Sequence, residues 1–311
     1  MPPSSPFQSR FRATAAVAHA PTQSLPRKPP LRSRLDKHLA ELPVLPIVVS
    51  KLMALDPRSD RHFEEVRLLI ESEPSFTARI LAAANSAASA PRSPITSVRA
   101  AIMRMGSVPA ANVVLTLAMA HVFVPRDPWE KSLWRHSLDV AVAARKIAAC
   151  SAASGLKPEE AYACGLLHDI GRFVLFREAP DELRRVEGTH EGTPETLVEA
   201  ERAICGMTHA EIGALACAKW RLPELVTAVV RDHHGPAGSG PVGLVRLADH
   251  AMFDAERQRD AAEAPPSPEL RIERLVALQP ELASLTAEEL LLLVDASLVE
   301  SEPIAQLIGI G

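Results

Sequence analysis

Aromatic side chains make up only 4% of this 311-residue chain, and tyrosine occurs once, as Tyr162. A core without many large rings is filled by Leu, Val, Ile and Ala, which suits packed helices. Cysteine is also sparse. Cys150, Cys164, Cys205 and Cys217 stand apart with no Cys-x-x-Cys pair, which excludes a zinc knuckle or dithiol motif and predicts buried, reduced thiols. Neither sign of charge dominates: 34 basic against 38 acidic residues leave a net charge of -4, so bulk attraction to nucleic acid or anionic lipid is not expected. Long apolar runs are missing as well. The most apolar stretch, Ser107 to Val124, is interrupted by Pro109, Asn112 and His121 and reads as a buried helix rather than a membrane span. Pro2, Pro3 and Pro6 break the start and Arg10 and Arg12 precede any apolar run, so no secretory signal is read there. A cytoplasmic protein without membrane insertion is the expectation.

What is present is helical patterning over more than one domain's length. Residues 1–35 mix Pro, Ser, Ala and Arg, with six basic and no acidic residues before Asp36, the composition of a disordered basic tail with no assigned function. From residue 36 the pattern predicts helices near 47–55, 63–71 and 76–85, then an element from Ile95 through Gly106 into the apolar run at 113–117. A loop bounded by Pro125 and Pro128 precedes a long helix, 132–151, carrying His136. One helix, 159–176, carries His168 and Asp169. Thr208 and Glu211 form a capping box that puts His209 in the first turn of another helix. Residues 222–235 read as a helix opened by Pro223 and ended by His233-His234-Gly235. The next, 242–256, carries Asp249. Pro265, Pro266 and Pro268 mark a linker, and helices at 269–278 and 286–299 follow. No strand signal or repeat competes, so the fold class is all-α.

The dipeptide His168-Asp169 lies in an apolar run, Ala163 to Arg172. Burying an imidazole beside a carboxylate is costly unless each has a hydrogen bond, an ion partner or a metal. Elsewhere, beside other apolar stretches, stand His136, His209, His233, His234 and Asp249. A single histidine is more often a core or surface residue than a ligand, and His233-His234 at a helix end is also what the helix dipole favours. The ordered set, however, is a donor collection suited to iron, manganese or zinc. Its basic members are His136, His168, Asp169 and Asp249, with His209, His233 and His234 able to extend it to a second ion. Paired ions are the device by which phosphoesters are hydrolysed. His19, His38, His62, His121, His190 and His250 fall outside the set.

The order His, His-Asp, His, His-His, Asp resembles the HD phosphohydrolase superfamily. Further segments make the resemblance narrower: Leu42-Pro43-x-Leu45-Pro46, Ala84-Asn85-Ser86-Ala87, Ile95-x-Ser97-Val98-x-x-Ala101-Ile102-x-x-x-Gly106, Trp134-x-His136-Ser137, Gly165-Leu166-Leu167-His168-Asp169-Ile170-Gly171, Glu201, His209-Ala210-Glu211-x-Gly213-Ala214, Trp220-x-Leu222-Pro223 and His233-His234. Together they resemble the HDOD family, the HD-related output domain, over roughly residues 40–250. The resemblance implies two helical lobes, 36–127 and 128–260, the second HD-like, followed by a linker and C-terminal helices over 261–311. It implies a bacterial signal-transduction module that acts through signalling proteins, holds a metal or small ligand, and has no demonstrable catalysis. The alternative is a metal-dependent phosphohydrolase of nucleotides or cyclic dinucleotides. The Gly-Tyr-Pro loop of the related HD-GYP phosphodiesterases is absent, since Gly235-Pro236 follows His234 and Arg172 follows Gly171. Hydrolysis of cyclic-di-GMP by that route is therefore disfavoured.

Overall fold

Prolines and short polar side chains start most of the helices. The computed structural model describes residues 46–86, 91, 93–151, 155–189, 194–235, 240–260 and 285–310, and among these residues there are helices and turns but no strand. The tail at 1–35, the predicted helix at 269–278 and His190 lie outside them.

Helix α1 (Ile47–Met53) follows Pro46, and α2 (His62–Glu71) leads into α3 (Pro74–Ala84), which has proline in its first turn. Beyond α3 the Asn85 side chain bridges the next loop: its amide donates to Ile95 O and its carbonyl accepts from Ile95 N, both at 2.8 Å. Helix α4 (Val98–Met105) is capped by Ser97, which accepts the Ala100 N–H at 3.2 Å. At Gly106, with φ of 89°, the chain turns into α5 (Ser107–Val122). That left-handed φ favours glycine because it has no Cβ. No single helix among the described residues is long and apolar enough to cross a membrane; α4 and α5 reach that length and composition only as a pair bent by 110°.

Helix α6 (Pro128–Cys150) begins earlier than the pattern predicts. Asp127 accepts the Trp129 and Glu130 N–H groups, each at 2.9 Å, and Pro128 occupies the first turn, where its missing N–H costs nothing. The single helix expected over 159–176 is two, α7 (Pro158–Leu167) and α8 (Ile170–Glu178), broken at His168-Asp169. Asp169 has φ of −95° and ψ of 16°, outside the helical well, and His168 Nδ1 donates to Gly165 O at 2.7 Å. Helices α9 (Pro180–Glu187) and α10 (Pro194–Cys205) were not indicated by the periodicity. The remaining elements are α11 (His209–Lys219), α12 (Glu224–Asp232), α13 (Gly240–Asp260) and α14 (Ala287–Ile308).

Helices α1 to α5 pack as one group, and α6 lies along α7, α13 and α14 in a second. One apolar cluster runs through both groups, dominated by aliphatic side chains as the composition requires. Glycine sets the closest helix approaches. A Cβ on Gly165 would stand 2.8 Å from Ala141 Cα, so α7 can lie against α6. A Cβ on Gly171 would stand 1.8 Å from the His209 carbonyl oxygen, so only glycine lets α8 meet α11. The one tyrosine joins the groups: the Tyr162 hydroxyl on α7 lies 2.7 Å from Thr116 Oγ1 on α5. Burial pushes that phenol up to about 12.

Candidate metal centre

Four helix ends and two helix faces converge on the His-Asp break. Because α7 stops at Leu167 and α8 restarts at Ile170, His168 and Asp169 turn into the space between α6, α11, α12 and α13. His136 comes from α6, and Asp249 from α13. His209 opens α11 behind the Thr208 cap, whose Oγ1 accepts the Glu211 N–H at 3.2 Å while Glu211 accepts the Thr208 N–H at 2.8 Å. His233 and His234 follow the last turn of α12.

All seven sequence-predicted residues are brought together, in two adjoining groups: Asp169, His209, His233 and His234, and His136, His168 and Asp249, with one donor atom of each residue within 4.8 Å of the others in its group. Asp169 Oδ1 sits among three imidazoles, 3.1 Å from His209 Nε2, 3.7 Å from His233 Nε2 and 3.8 Å from His168 Nε2. Asp249 Oδ1 lies 3.1 Å from His136 Nε2 and 3.7 Å from His168 Nε2. His168 therefore stands between the groups.

The far nitrogens of these rings are already committed. His168 Nδ1 donates to Gly165 O and His233 Nδ1 to Val230 O at 2.9 Å, which leaves each Nε2 as the inward lone pair. His209 Nδ1 donates to Glu201 Oε2 at 2.7 Å, and His136 Nδ1 to Glu256 at 3.2 Å. These outer carboxylates have the arrangement that orients metal-binding histidines and raises their basicity. Spacing alone did not assign either of them a role. Glu256 was legible in one respect, since it lies two turns beyond Asp249 on the same helix. Glu201 was visible only as part of the family pattern.

Burial favours neutral groups, but the clustered charges override it at several positions. It would raise the Asp169 carboxyl, yet the imidazoles of His168 and His209 hold it well below the usual carboxylate range. Asp249 is held low in the same way, chiefly by His136 and His168. Burial would depress His209, but the carboxylates of Glu201 and Asp169 raise it to about 10. At His168 burial wins and pushes the imidazole down to about 4.

A metal fits this donor set on the protein's own terms. His168 Nε2 and Asp249 Oδ2 are buried without a hydrogen-bond partner, an arrangement that costs stability unless something else satisfies them. Nitrogen and oxygen donors without thiolate suit iron, manganese or zinc.

The pattern of a known family covers this arrangement: the HDOD domain model matches residues 42–236, well over half of the chain. The chain belongs to the HDOD family. A curated relative, an uncharacterized protein of Treponema pallidum (strain Nichols), is 24% identical over 213 residues, 66% of this chain and 40% of that protein. The chain thus spans well under half the length of that relative. An HDOD domain protein of unknown function from Geobacter sulfurreducens is 25% identical and superposes with a TM-score of 0.67 over 90% of this chain and 97% of its own. A protein of Shewanella amazonensis SB2B, provisionally named a phosphohydrolase, shares the fold with a TM-score of 0.68 at 20% identity, over 89% of this chain and 98% of its own. A Marinobacter aquaeolei VT8 protein, provisionally named a signal transduction protein, shares it with a TM-score of 0.67 at 23% identity, over 92% of this chain and 62% of its own.

Other parts of the HDOD pattern shape the centre without entering it. Trp134 Nε1, two residues before His136 on α6, donates to Phe123 O at 2.8 Å and ties the helix to the end of α5. Gly213 on α11 faces Gly171 on α8, where a Cβ would meet Val230 at 2.7 Å. Arg172 lies 3.5 Å from Asp169 Oδ2 and also pairs with Glu187, so the second oxygen of the carboxylate is held from behind. His62, outside the predicted set, is buried elsewhere in the first group of helices, 3.0 Å from Ser107 Oγ.

Proposed function

We propose that this chain is a bacterial signal-transduction module that acts through protein partners and holds a divalent iron, manganese or zinc ion in its HD-like lobe. Its ligands are drawn from His136, His168, Asp169, His209, His233, His234 and Asp249. The observation that carries this reading is burial of an unsatisfied donor set. His168, His209 and His233 are 0% exposed, Asp169 and Asp249 4%, while His168 Nε2 has no hydrogen-bond partner. Such a centre matches an ion better than a substrate, which needs open space beside the reacting groups. When bound, the ion would supply Lewis acidity and a fixed positive charge. The chain's own residues orient the ligands: Glu201 and Glu256 hold His209 and His136, and the Gly165 and Val230 carbonyls hold His168 and His233.

A second reading, a metal-dependent phosphohydrolase of nucleotides or cyclic dinucleotides, is favoured by one observation. The ligand candidates form two adjoining groups rather than one, and paired ions suit phosphoester hydrolysis. Elemental analysis of the purified protein decides the first point. The wild type is expected to carry metal and the His168→Ala, Asp169→Ala double variant to lose it; equal content in both would remove the centre. Incubating the metal-loaded protein with phosphomonoesters, nucleotides and cyclic dinucleotides decides the second. Turnover that disappears in the double variant would replace the module by the enzyme.

A further inference from the structure

Helix α14 has two unlike faces. The inner one, at Ala287, Leu290, Val294, Ser297, Ser301 and Ala305, is buried. The outer one carries Glu288, Leu292, Asp295 and Val299, whose spacing of i, i+4, i+7 and i+11 puts them on one line along the helix, and all four are exposed. Leu292 is 70% and Val299 76% exposed, whereas every other Leu, Ile or Val of α14 is at least partly covered. Charge on this helix is one-sided: five acidic residues and no basic one lie between Ala287 and Ile308. Glu300 and Glu302 pair with Arg145, Lys146 and Arg135 of α6, while Glu288, Glu289 and Asp295 lie on the exposed side. The helix follows the end of the HDOD match at residue 236, so this face is no part of the family pattern. An alternating acidic and apolar line fits a basic segment with apolar side chains between its charges.

We infer that residues 1–35 of this same chain dock across the outer face of α14. That segment has the complementary character: Arg10, Arg12, Arg27, Lys28, Arg32 and Arg34 without an acidic residue, and Phe7, Phe11, Leu25 and Leu31 set among them. Reach is no obstacle. Residues 36–45, extended, span about 30 Å, and α5, against which α1 packs, also touches α14. Other occupants from this chain match the face less well. The α14 of a second copy would set five acidic residues against five. Residues 261–284, which precede the helix, hold four acidic residues and two basic ones, the same sign as the helix itself. Single exposed ion pairs are weak, so several must act together with the covering of Leu292 and Val299. The inference does not depend on metal at the His-Asp centre.

Zero-length carbodiimide cross-linking of the full chain at low salt, read by mass spectrometry, tests this. Arg10→Lys and Arg32→Lys spread amines along the segment without changing its charge, and an equal mixture of nitrogen-15 and unlabelled protein separates links within a chain from links between chains. Positions 10, 28 and 32 are expected to link to Glu288, Glu289 or Asp295 of their own chain at least about fivefold more than to Glu73, an exposed carboxylate of the first group. The Lys146–Glu300 pair, 2.7 Å apart, serves as the internal control that α14 is in place. Leu292→Ser with Val299→Ser alters only exposed side chains, so Tm is expected to hold while the links to α14 fall about fivefold or more. Salt at about 0.5 M is expected to reduce them as well. Three results would overturn the inference: links spread evenly over exposed carboxylates, yields unchanged in the serine variant while the Lys146–Glu300 link forms, or links to α14 found only between chains.

Discussion

Glu201 places a proton on His209 that the unfolded chain would not keep at neutral pH. Its carboxylate and that of Asp169 raise the folded-state pKa to about 10, against an ordinary value near 6.5. A raised imidazole adds stability that is fully present below about pH 6.5 and is lost as the pH climbs through about 10. The metal-free protein, stripped with a chelator, is therefore expected to lose stability on the order of a few kcal/mol over that window, seen as a falling Tm. Glu201→Gln removes the larger raising charge and is expected to flatten the decline. His136, also raised, by Glu256 and Asp249, contributes equally to both proteins and drops out of the comparison. Thermal melts from pH 6 to 10 check this, and parallel slopes in the two proteins would refute it. At this scale the sequence showed every ligand candidate, because residue type and order suffice to nominate a donor. It did not single out the carboxylates behind them, since a glutamate on a helix face is ordinary until its partner is known.

Gly171 carries the meeting of α8 with α11, and through it the placement of Asp169 beside His209. A methyl group there would face a backbone oxygen at 1.8 Å, which no side-chain rotation relieves. Gly171→Ala is expected to cost about 3 kcal/mol or more and to lower metal content in the same preparation. Gly188→Ala, where the added carbon would meet Arg184 O at 3.5 Å, is expected to stay within about 0.5 kcal/mol. Denaturant unfolding and elemental analysis of both variants check the contrast. The capping boxes at Thr208 and Thr286 were legible because their hydrogen bonds span three residues. The break at His168-Asp169 was not, because the apolar pattern runs straight through it and the interruption is made by tertiary partners. Helix α9 was missed for another reason: Pro180–Glu187 is eight residues long, shorter than the window over which a helical period is read.

For the whole molecule, α14 ties the parts together. It lies along α6 and also touches α3 and α5. Arg135 on α6 binds Asp139 at 2.9 Å and reaches Glu302 and the Leu298 carbonyl on α14, while Ser301 caps Asp139. Leu290, Val294 and Ala305 of α14 are buried in the shared core. A chain ending at residue 285 is expected to lose about 5 kcal/mol, from the exposed apolar side chains and from the buried Arg135–Asp139 pair left half-satisfied. Glu300→Ala, which removes only partly exposed pairs with Arg145 and Lys146, is expected to cost less than about 1 kcal/mol. Urea unfolding of both variants measures the difference.

The sequence by itself determined the all-helical class, the family, the candidate donor types and their order along the chain. Each of these is written in local periods, caps and residue chemistry, which need no knowledge of distant contacts. Only the tertiary structure decided how the donors divide into two groups, which ring nitrogens face inward, and which carboxylates stand behind them. Those outcomes depend on packing between residues far apart, as where His136 meets Glu256 across 120 positions. The His168 Nε2 that no protein group satisfies is a product of that packing.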